Sequence, residues 1–426
     1  SLSHAAWAVP ARKGAILQTQ PDGTLLITYQ HGDEHFHWMT NGKGEWLQLA
    51  DDGYYRVTQA LSTEEIRTGR MASVQAPQKV ATTLNIAPRG LVVLVNFKDQ
   101  AFITSKAEMD SMIIGKNYTR EYSYEYQYED DNGDYQIAKM DVHSKGSAWQ
   151  YFYDTSNGQY NPKFDVVGPV TVSKELSYYG KNDKGGSDLN PQMMVKEACE
   201  LVDDSVDFAQ YDNDNDGMVD FVYIIYAGYA ESEGGGAATI WPHNWDLISA
   251  LYFGYTNQTE YFATSETNYN LPEIDGKLLN TYACSNEIRK ANNARSGIGT
   301  ICHEFSHVLG LPDYYLTTQN PQTSERYTPG AWSLMGYGNY LNNGNTPPNY
   351  SVYDKYFLEW IEPLVLCKND SLQLPADGMT YFMITHNQQY VPEAALRSDT
   401  VYYLENRQQE GWDAFLPGHG MLIWRV

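Results

Sequence analysis

The sequence predicts an α+β protein in three parts, and three observations carry that prediction. Residues 1–70 hold short alternating runs, such as Thr24-Leu25-Leu26-Ile27-Thr28-Tyr29 and Tyr54-Tyr55-Arg56-Val57, separated by turn signals at Asp22-Gly23, Asn41-Gly42 and Asp52-Gly53. This is the pattern of a small antiparallel β unit. Residues 90–362 mix continuous apolar runs with helical apolar stripes. From residue 363 onward the chain returns to short β-runs, which predicts a β-rich part over 363–426. Residues 71–89, rich in Ala, Gln, Thr and Pro, read as a linker.

Within the middle part, Gly90-Leu91-Val92-Val93-Leu94-Val95-Asn96-Phe97 reads as a buried strand. Residues 117–140, dominated by Tyr, Asp and Glu, read as a long exposed loop. A short helix is expected at 145–154 and a strand near 164–172. Met193, Met194, Val195, Ala198 and Leu201 form an apolar stripe, so a helix is expected over 187–205, with the stripe as core. A strand at 219–227 and a glycine-rich loop at 233–238 follow. Further helices are expected at 297–309 and from Tyr350 to Trp360. There is no internal repeat.

A length of 426 residues, 42% hydrophobic content and 14% aromatics fit a globular chain of two or three units. The 35 tyrosines favour β-structure and half-buried surfaces. A net charge of −24 repels phosphate backbones, which argues against nucleic acid as a partner and suits divalent cations. Cys199, Cys284, Cys302 and Cys367 are scattered without a CxxC pair, so neither a disulfide framework nor a cysteine metal cluster is indicated. No apolar run approaches the roughly twenty residues of a transmembrane segment. No signal peptide is visible. A chain that begins at Ser1 without Met and stops after a strand pattern at Val426 is expected to have lost a targeting segment and to continue in the natural protein.

The chemistry concentrates at His303-Glu304-Phe305-Ser306-His307-Val308-Leu309-Gly310-Leu311-Pro312-Asp313. On a helix His303 and His307 share one face, one turn apart, and Glu304 lies beside them to act on a metal-bound water. Two His and a Glu at this spacing form the zinc-hydrolase signature. Gly310 can end the helix by taking positive φ, and Pro312 stops it from resuming, so the chain can return with Asp313 as a third ligand. Glu325, 18 residues past His307, is a rival for that place. Cys302 points about 100° away around the helix and reads as an inert core thiol. His243 follows Trp241-Pro242 and reads as a cleft or packing residue, as does His419; His143 and His386 show no partnering pattern.

A second metal candidate is Asp212-Asn213-Asp214-Asn215-Asp216-Gly217-Met218-Val219-Asp220. Carboxylates at loop positions 1, 3, 5 and 9 with Gly at 6 match the first nine positions of an EF-hand-like calcium loop, with the Met218 carbonyl at position 7. Position 12 is Tyr223 rather than Glu, so further oxygens are expected from Asp203, Asp204 or Asp207. The ion would be structural.

Trp332-Ser333-Leu334-Met335-Gly336-Tyr337 resembles the methionine turn of the metzincin metallopeptidases, in which a Met lies beneath the zinc-binding histidines. With Asp in third place the site resembles the M6 family, the immune inhibitor A type of secreted bacterial metallopeptidase. The likeness extends to the Asp-rich loop, to Ile240-Trp241-Pro242-His243 and to Gly418-His419-Gly420-Met421-Leu422-Ile423-Trp424, and so covers most of residues 90–426. It implies a metzincin-like zincin catalytic domain over 90–362, a mixed twisted sheet plus an active-site helix. It implies zinc on His303, His307 and Asp313, Glu304 as general base, Met335 and Gly310 as structural residues, and Tyr337 as a group that helps stabilise the tetrahedral intermediate. By the same likeness residues 1–70 are a pro-region with processing in or near the linker, and the protein is secreted as a latent precursor activated by that cut. No cysteine precedes residue 199, so no thiolate of the pro-region blocks the metal. Expected partners are protein or peptide substrates added as a strand, with residues 280–286 as the receiving edge. Two rival readings are a calcium-stabilised adhesion or binding protein with a vestigial site and a zinc hydrolase of a non-protein amide. The intact Glu304 argues against the first.

Overall fold

A computed structural model describes residues 7–33, 36–50, 52–60, 88–129, 135–182, 187–247, 263–265, 268–269, 271–315, 328–366, 371–385 and 400–426. It begins with a two-residue strand, β1 (Trp7–Ala8), followed by a five-stranded antiparallel sheet. That sheet comprises β2 (Ala15–Thr19), β3 (Leu25–Asp33), β4 (Phe36–Asn41), β5 (Trp46–Leu49) and β6 (Tyr55–Val57) in sequential order. This is the antiparallel unit expected from the alternating runs. Most of the expected linker lies outside the described residues.

The central sheet is mixed. β7 (Arg89–Asn96) pairs in parallel with β10 (Lys163–Thr171) on one side and β12 (Val222–Tyr229) on the other, and β12 pairs in parallel with β18 (Thr281–Ile288). β13 (His243–Asp246) runs antiparallel to β18, and β1 runs antiparallel to β13, giving the order β1-β13-β18-β12-β7-β10. Of the expected receiving edge at 280–286, residues 281–284 therefore lie inside the sheet, because β13 pairs with them on the outer side of β18.

Both sheet faces are buried, which accounts for the unbroken apolar runs. Leu91, Val93, Val95, Val222, Ile224 and Tyr226 pack against the helix Pro191–Val202 through Met194, Val195, Ala198 and Cys199. Alternate residues Val92, Leu94, Tyr223 and Ile225 face the opposite layer, where the helix Gly299–Val308 presents Ile301, Cys302 and Phe305. Phe305 sits among Phe152, Phe164 and Phe221, with ring centroids 5.0–5.2 Å away, and these contacts fix the rotation of the helix on the sheet. Burial pushes the Cys302 thiol well up, so it is the inert core residue expected.

Residues 117–140 are not a loop. β8 (Thr119–Glu129) and β9 (Tyr135–Lys145) form a two-stranded ribbon. Tyr122 and Tyr124 are half-buried while Glu121, Ser123 and Glu125 are exposed, so a period of two underlies the polar composition. Small pairings join β11 (Met218–Val219) to β17 (Lys277–Leu279), β17 to β16 (Glu273–Ile274), and β14 (Ala263–Ser265) to β15 (Asn268–Tyr269). The C-terminal part is a four-stranded sheet of β19 (Leu364–Leu366), β20 (Phe382–Thr385), β21 (Val401–Arg407) and β22 (Gly420–Arg425). Arg407 joins it to the middle part. Its buried guanidinium donates to the carbonyls of Trp332 and Asn349, each at 3.0 Å, and pairs with Asp413.

Candidate metal centre

The helix Gly299–Val308 starts where no side chain fits. A Cβ on Gly299 would overlap the carbonyl of Asn339, so the helix abuts the turns that follow Met335. It ends at Gly310 with φ +94°, where Gly310 N–H donates to His307 O (2.9 Å) and Leu311 N–H to Ser306 O (3.2 Å). These two bonds form a Schellman closure, and they end the helix at the positive-φ Gly310 that the sequence suggested. It turns the Leu311 carbonyl toward the helix, and His307 Nδ1 lies 2.7 Å from it.

His303 Nδ1 lies 2.8 Å from the Leu334 carbonyl, at the centre of the methionine turn. A backbone carbonyl only accepts, so both imidazoles carry their proton on Nδ1 and turn the Nε2 lone pair toward a common point. The two Nε2 atoms are 3.2 Å apart, and Asp313 Oδ1 is 3.1 Å from that of His303 and 3.5 Å from that of His307. A tetrahedral zinc with arms of about 2.0–2.1 Å requires ligand–ligand edges of about 3.3–3.4 Å, so the triangle fits one face of such a centre. Burial, then the neighbouring His303, hold His307 well below the usual histidine range, which favours the neutral ring that a metal requires. The donors of His303, His307 and Asp313 thus come together as the sequence pattern suggested.

Glu304 is fully buried beside them, and its Oε1 accepts the backbone N–H of Val9 at 3.1 Å. Val9 follows β1, so the N-terminal segment crosses the cleft. Its other contacts include Trp241 Nε1–H donating to Val9 O (3.0 Å), Tyr340 O–H donating to Pro10 O (2.7 Å), and Arg12 N–H donating to Ser232 O (3.0 Å). Tyr337 is half-buried, and its ring carries Lys13 Nζ 4.3 Å from the centroid, so it faces the same segment. Met335 is fully buried, and its carbonyl accepts Tyr314 N–H (2.8 Å), which ties the residue after Asp313 to the methionine turn. Glu325 lies outside the described residues.

Sequence reasoning missed the carbonyls of Leu311 and Leu334, the N-terminal segment, and Asp354. The last accepts Tyr314 O–H at 2.9 Å and closes a capping box with Ser351. Ser351 and Asp354 at a spacing of three were a readable signal for that cap. His243 is buried, with Nε2 2.9 Å from Tyr282 Oη and Nδ1 2.7 Å from Trp241 O, and its ring packs edge-on against Tyr282.

In the second cluster the carboxylates of Asp212, Asp214 and Asp216 lie within 4.8 Å of one another. Asp212 also accepts Lys277 Nζ (2.6 Å) and the N–H groups of Asp216 and Gly217. Burial raises its pKa, but Lys277 and the backbone donors outweigh that and keep it low. Met218 opens β11, its N–H bonded to Asp216. Asp220 turns instead to Asn213, accepting its N–H at 2.7 Å, and is not among the three gathered carboxylates. Nor are Asp203, Asp204 and Asp207, which occupy the turns after the helix Pro191–Val202.

No helix among the described residues is long and apolar enough to cross a membrane. The chain is 29% identical to the Pre-pro-metalloprotease PrtV of Vibrio cholerae over 265 residues, which is 56% of this chain and 27% of that protein. It is 27% identical to Immune inhibitor A of Bacillus thuringiensis subsp. alesti over 314 residues, 68% of this chain and 42% of the relative. The chain thus spans less than half the length of the curated relatives it matches. Residues 77–361 match the catalytic domain of Immune inhibitor A peptidase M6, and that span holds the helix, the glycine turn and the methionine turn together: the chain belongs to the M6 peptidase family.

Proposed function

We propose that this chain is a zinc-dependent endopeptidase with a metzincin-like catalytic domain over 90–362, made as a latent precursor and acting outside the cell. The observation that carries the reading is the triangle of His303 Nε2, His307 Nε2 and Asp313 Oδ1 beside the buried carboxylate of Glu304. Zinc bound there supplies Lewis acidity and brings the pKa of a bound water toward about 7. Glu304 takes a proton from the attacking water and returns it to the leaving amine nitrogen. Support for the second half of that role comes from Val9, a peptide N–H already seated on the same carboxylate. Substrate enters extended along β13, in the place that β1 holds.

Latency follows from that occupancy. Residues 7–13 run antiparallel to β13 and then past Glu304, Tyr340 and Tyr337, where a substrate has to lie. We read residues 1–70 as the pro-region. Calcium on the 212–220 loop would pin the turn that leads into β12, with Tyr337 assisting at the zinc. Casein hydrolysis tests both points. Glu304→Gln abolishes it with zinc still bound, whereas a pure binding protein loses nothing. A chain that lacks residues 1–13 hydrolyses faster than the full chain, and equal rates reject latency.

A further inference from the structure

We propose that the face formed by Asn182, Glu231 and Trp241 is a docking site for the N-terminal unit as a separable partner, anchored by His37. Cutting the chain within residues 71–89 then leaves the unit bound and the cleft covered, so that, against the expectation drawn from the sequence, the cut alone does not activate. The regulatory consequence rests on the protease reading; the docking does not.

Among the described residues, the N-terminal unit meets the rest of the molecule at several points, and two of them bracket this face. One is the segment in the cleft. Another is His37 on β4, whose ring stacks on Trp241 with centroids 4.4 Å apart and planes at 26°. His37 Nε2 lies 3.0 Å from Glu231 Oε1, and Asn182 Nδ2 donates to the same oxygen at 2.8 Å. The side chains of His37 and Glu231 are only 6% and 5% exposed, so this is an enclosed contact between an imidazole and a carboxylate, not a solvated surface pair. Trp241 serves both places, because its Nε1–H holds the Val9 carbonyl while its ring carries His37.

Between them Gly234, at φ +86°, lies so close to Ile16 that a Cβ would approach Ile16 Cγ2 to 2.6 Å. These contacts join residues 9–37 to residues 182–241, and all the N-terminal ones precede residue 71. A cut in the linker removes none of them. Withdrawing His37 bares the apolar tryptophan face and takes a hydrogen-bond partner from Glu231, so separation is opposed by newly exposed apolar surface as well as by the lost hydrogen bond. Cutting lowers the effective concentration of the unit without touching the interface.

The test replaces part of residues 71–89 in the full chain with the recognition sequence of a site-specific protease. The cut sample is passed over a sizing column at low micromolar concentration, and each fraction is assayed on casein with zinc. The N-terminal fragment is expected to co-elute with the remainder, and hydrolysis to stay at the level of the uncut chain. In His37→Ala the fragment's affinity falls about 10- to 100-fold, the fragment elutes separately and hydrolysis rises. Glu231→Gln, made on the opposite side of the contact, separates the two pieces in the same way and guards against His37→Ala merely unfolding the N-terminal sheet. Complete separation of the cut wild-type chain overturns the proposal, as does co-elution of both variants. If no fraction hydrolyses casein under any condition the protease reading fails, while co-elution still decides the docking.

Discussion

Replacing Gly310 with alanine probes how the helix end builds the metal centre. At φ +94° a Cβ is strained by about 1–2 kcal/mol, which outweighs the about 0.4–1 kcal/mol that alanine gains by narrowing the unfolded ensemble. The chain can respond in two ways. If the Schellman closure holds, the strain appears as lost stability, and for a domain of this size each kcal/mol lowers the melting midpoint by about 2–4 °C. If the turn relaxes, the Leu311 carbonyl leaves His307 Nδ1, now 2.7 Å away, and Asp313 moves with it. Loss of such a partner behind a ligating histidine weakens metal binding by about 10- to 100-fold. Thermal melting of the metal-free protein and a zinc titration against a competing chelator separate the two responses. A variant that melts within a degree of wild type and binds zinc equally tightly would refute the claim that this turn sets the ligand geometry.

Lys277→Met removes the cation 2.6 Å from Asp212, so the variant should bind calcium more tightly, read as a larger rise in melting temperature over a calcium series; an unchanged series argues against calcium at this loop. Arg407→Met strands the buried Asp413 and should cost about 3–5 kcal/mol in denaturant unfolding, with Arg407→Met/Asp413→Leu recovering most of it. Met335→Ala empties a fully buried position next to Leu334, whose carbonyl faces His303 Nδ1, and should cost about 2–5 kcal/mol, together with zinc affinity.

The gathering of His303, His307 and Asp313 was legible because its information is local. Eleven residues from His303 to Asp313 contain a helix, its stop and all three donors, and helical spacing alone puts two of them on one face. Met335 was legible only through family likeness, since nothing in the composition says that Leu334 offers its carbonyl to His303 from 31 residues away. The strand order was harder still. Thr281–Ile288 reads as a good strand, but whether it is an edge depends on where His243–Asp246 goes, which no periodicity encodes. The 119–145 ribbon was hidden by its own composition, because Tyr alternating with Glu, Ser and Gln looks polar until half-buried Tyr122 and Tyr124 are set against the exposed Glu121, Ser123 and Glu125. Least legible was Val9, which reaches Glu304 across 295 positions of sequence through a backbone N–H that any residue but proline supplies.

The account turns on one coordination centre, and anomalous diffraction at the zinc edge from a zinc-loaded crystal examines it most directly. The predicted result is a single strong peak bonded to Nε2 of His303 and His307 at about 2.0–2.1 Å and to a carboxylate oxygen of Asp313 at about 2.0–2.2 Å, with Glu304 outside the bonding distance. A peak held elsewhere, or histidines that bind nothing in the presence of stoichiometric zinc, would contradict it.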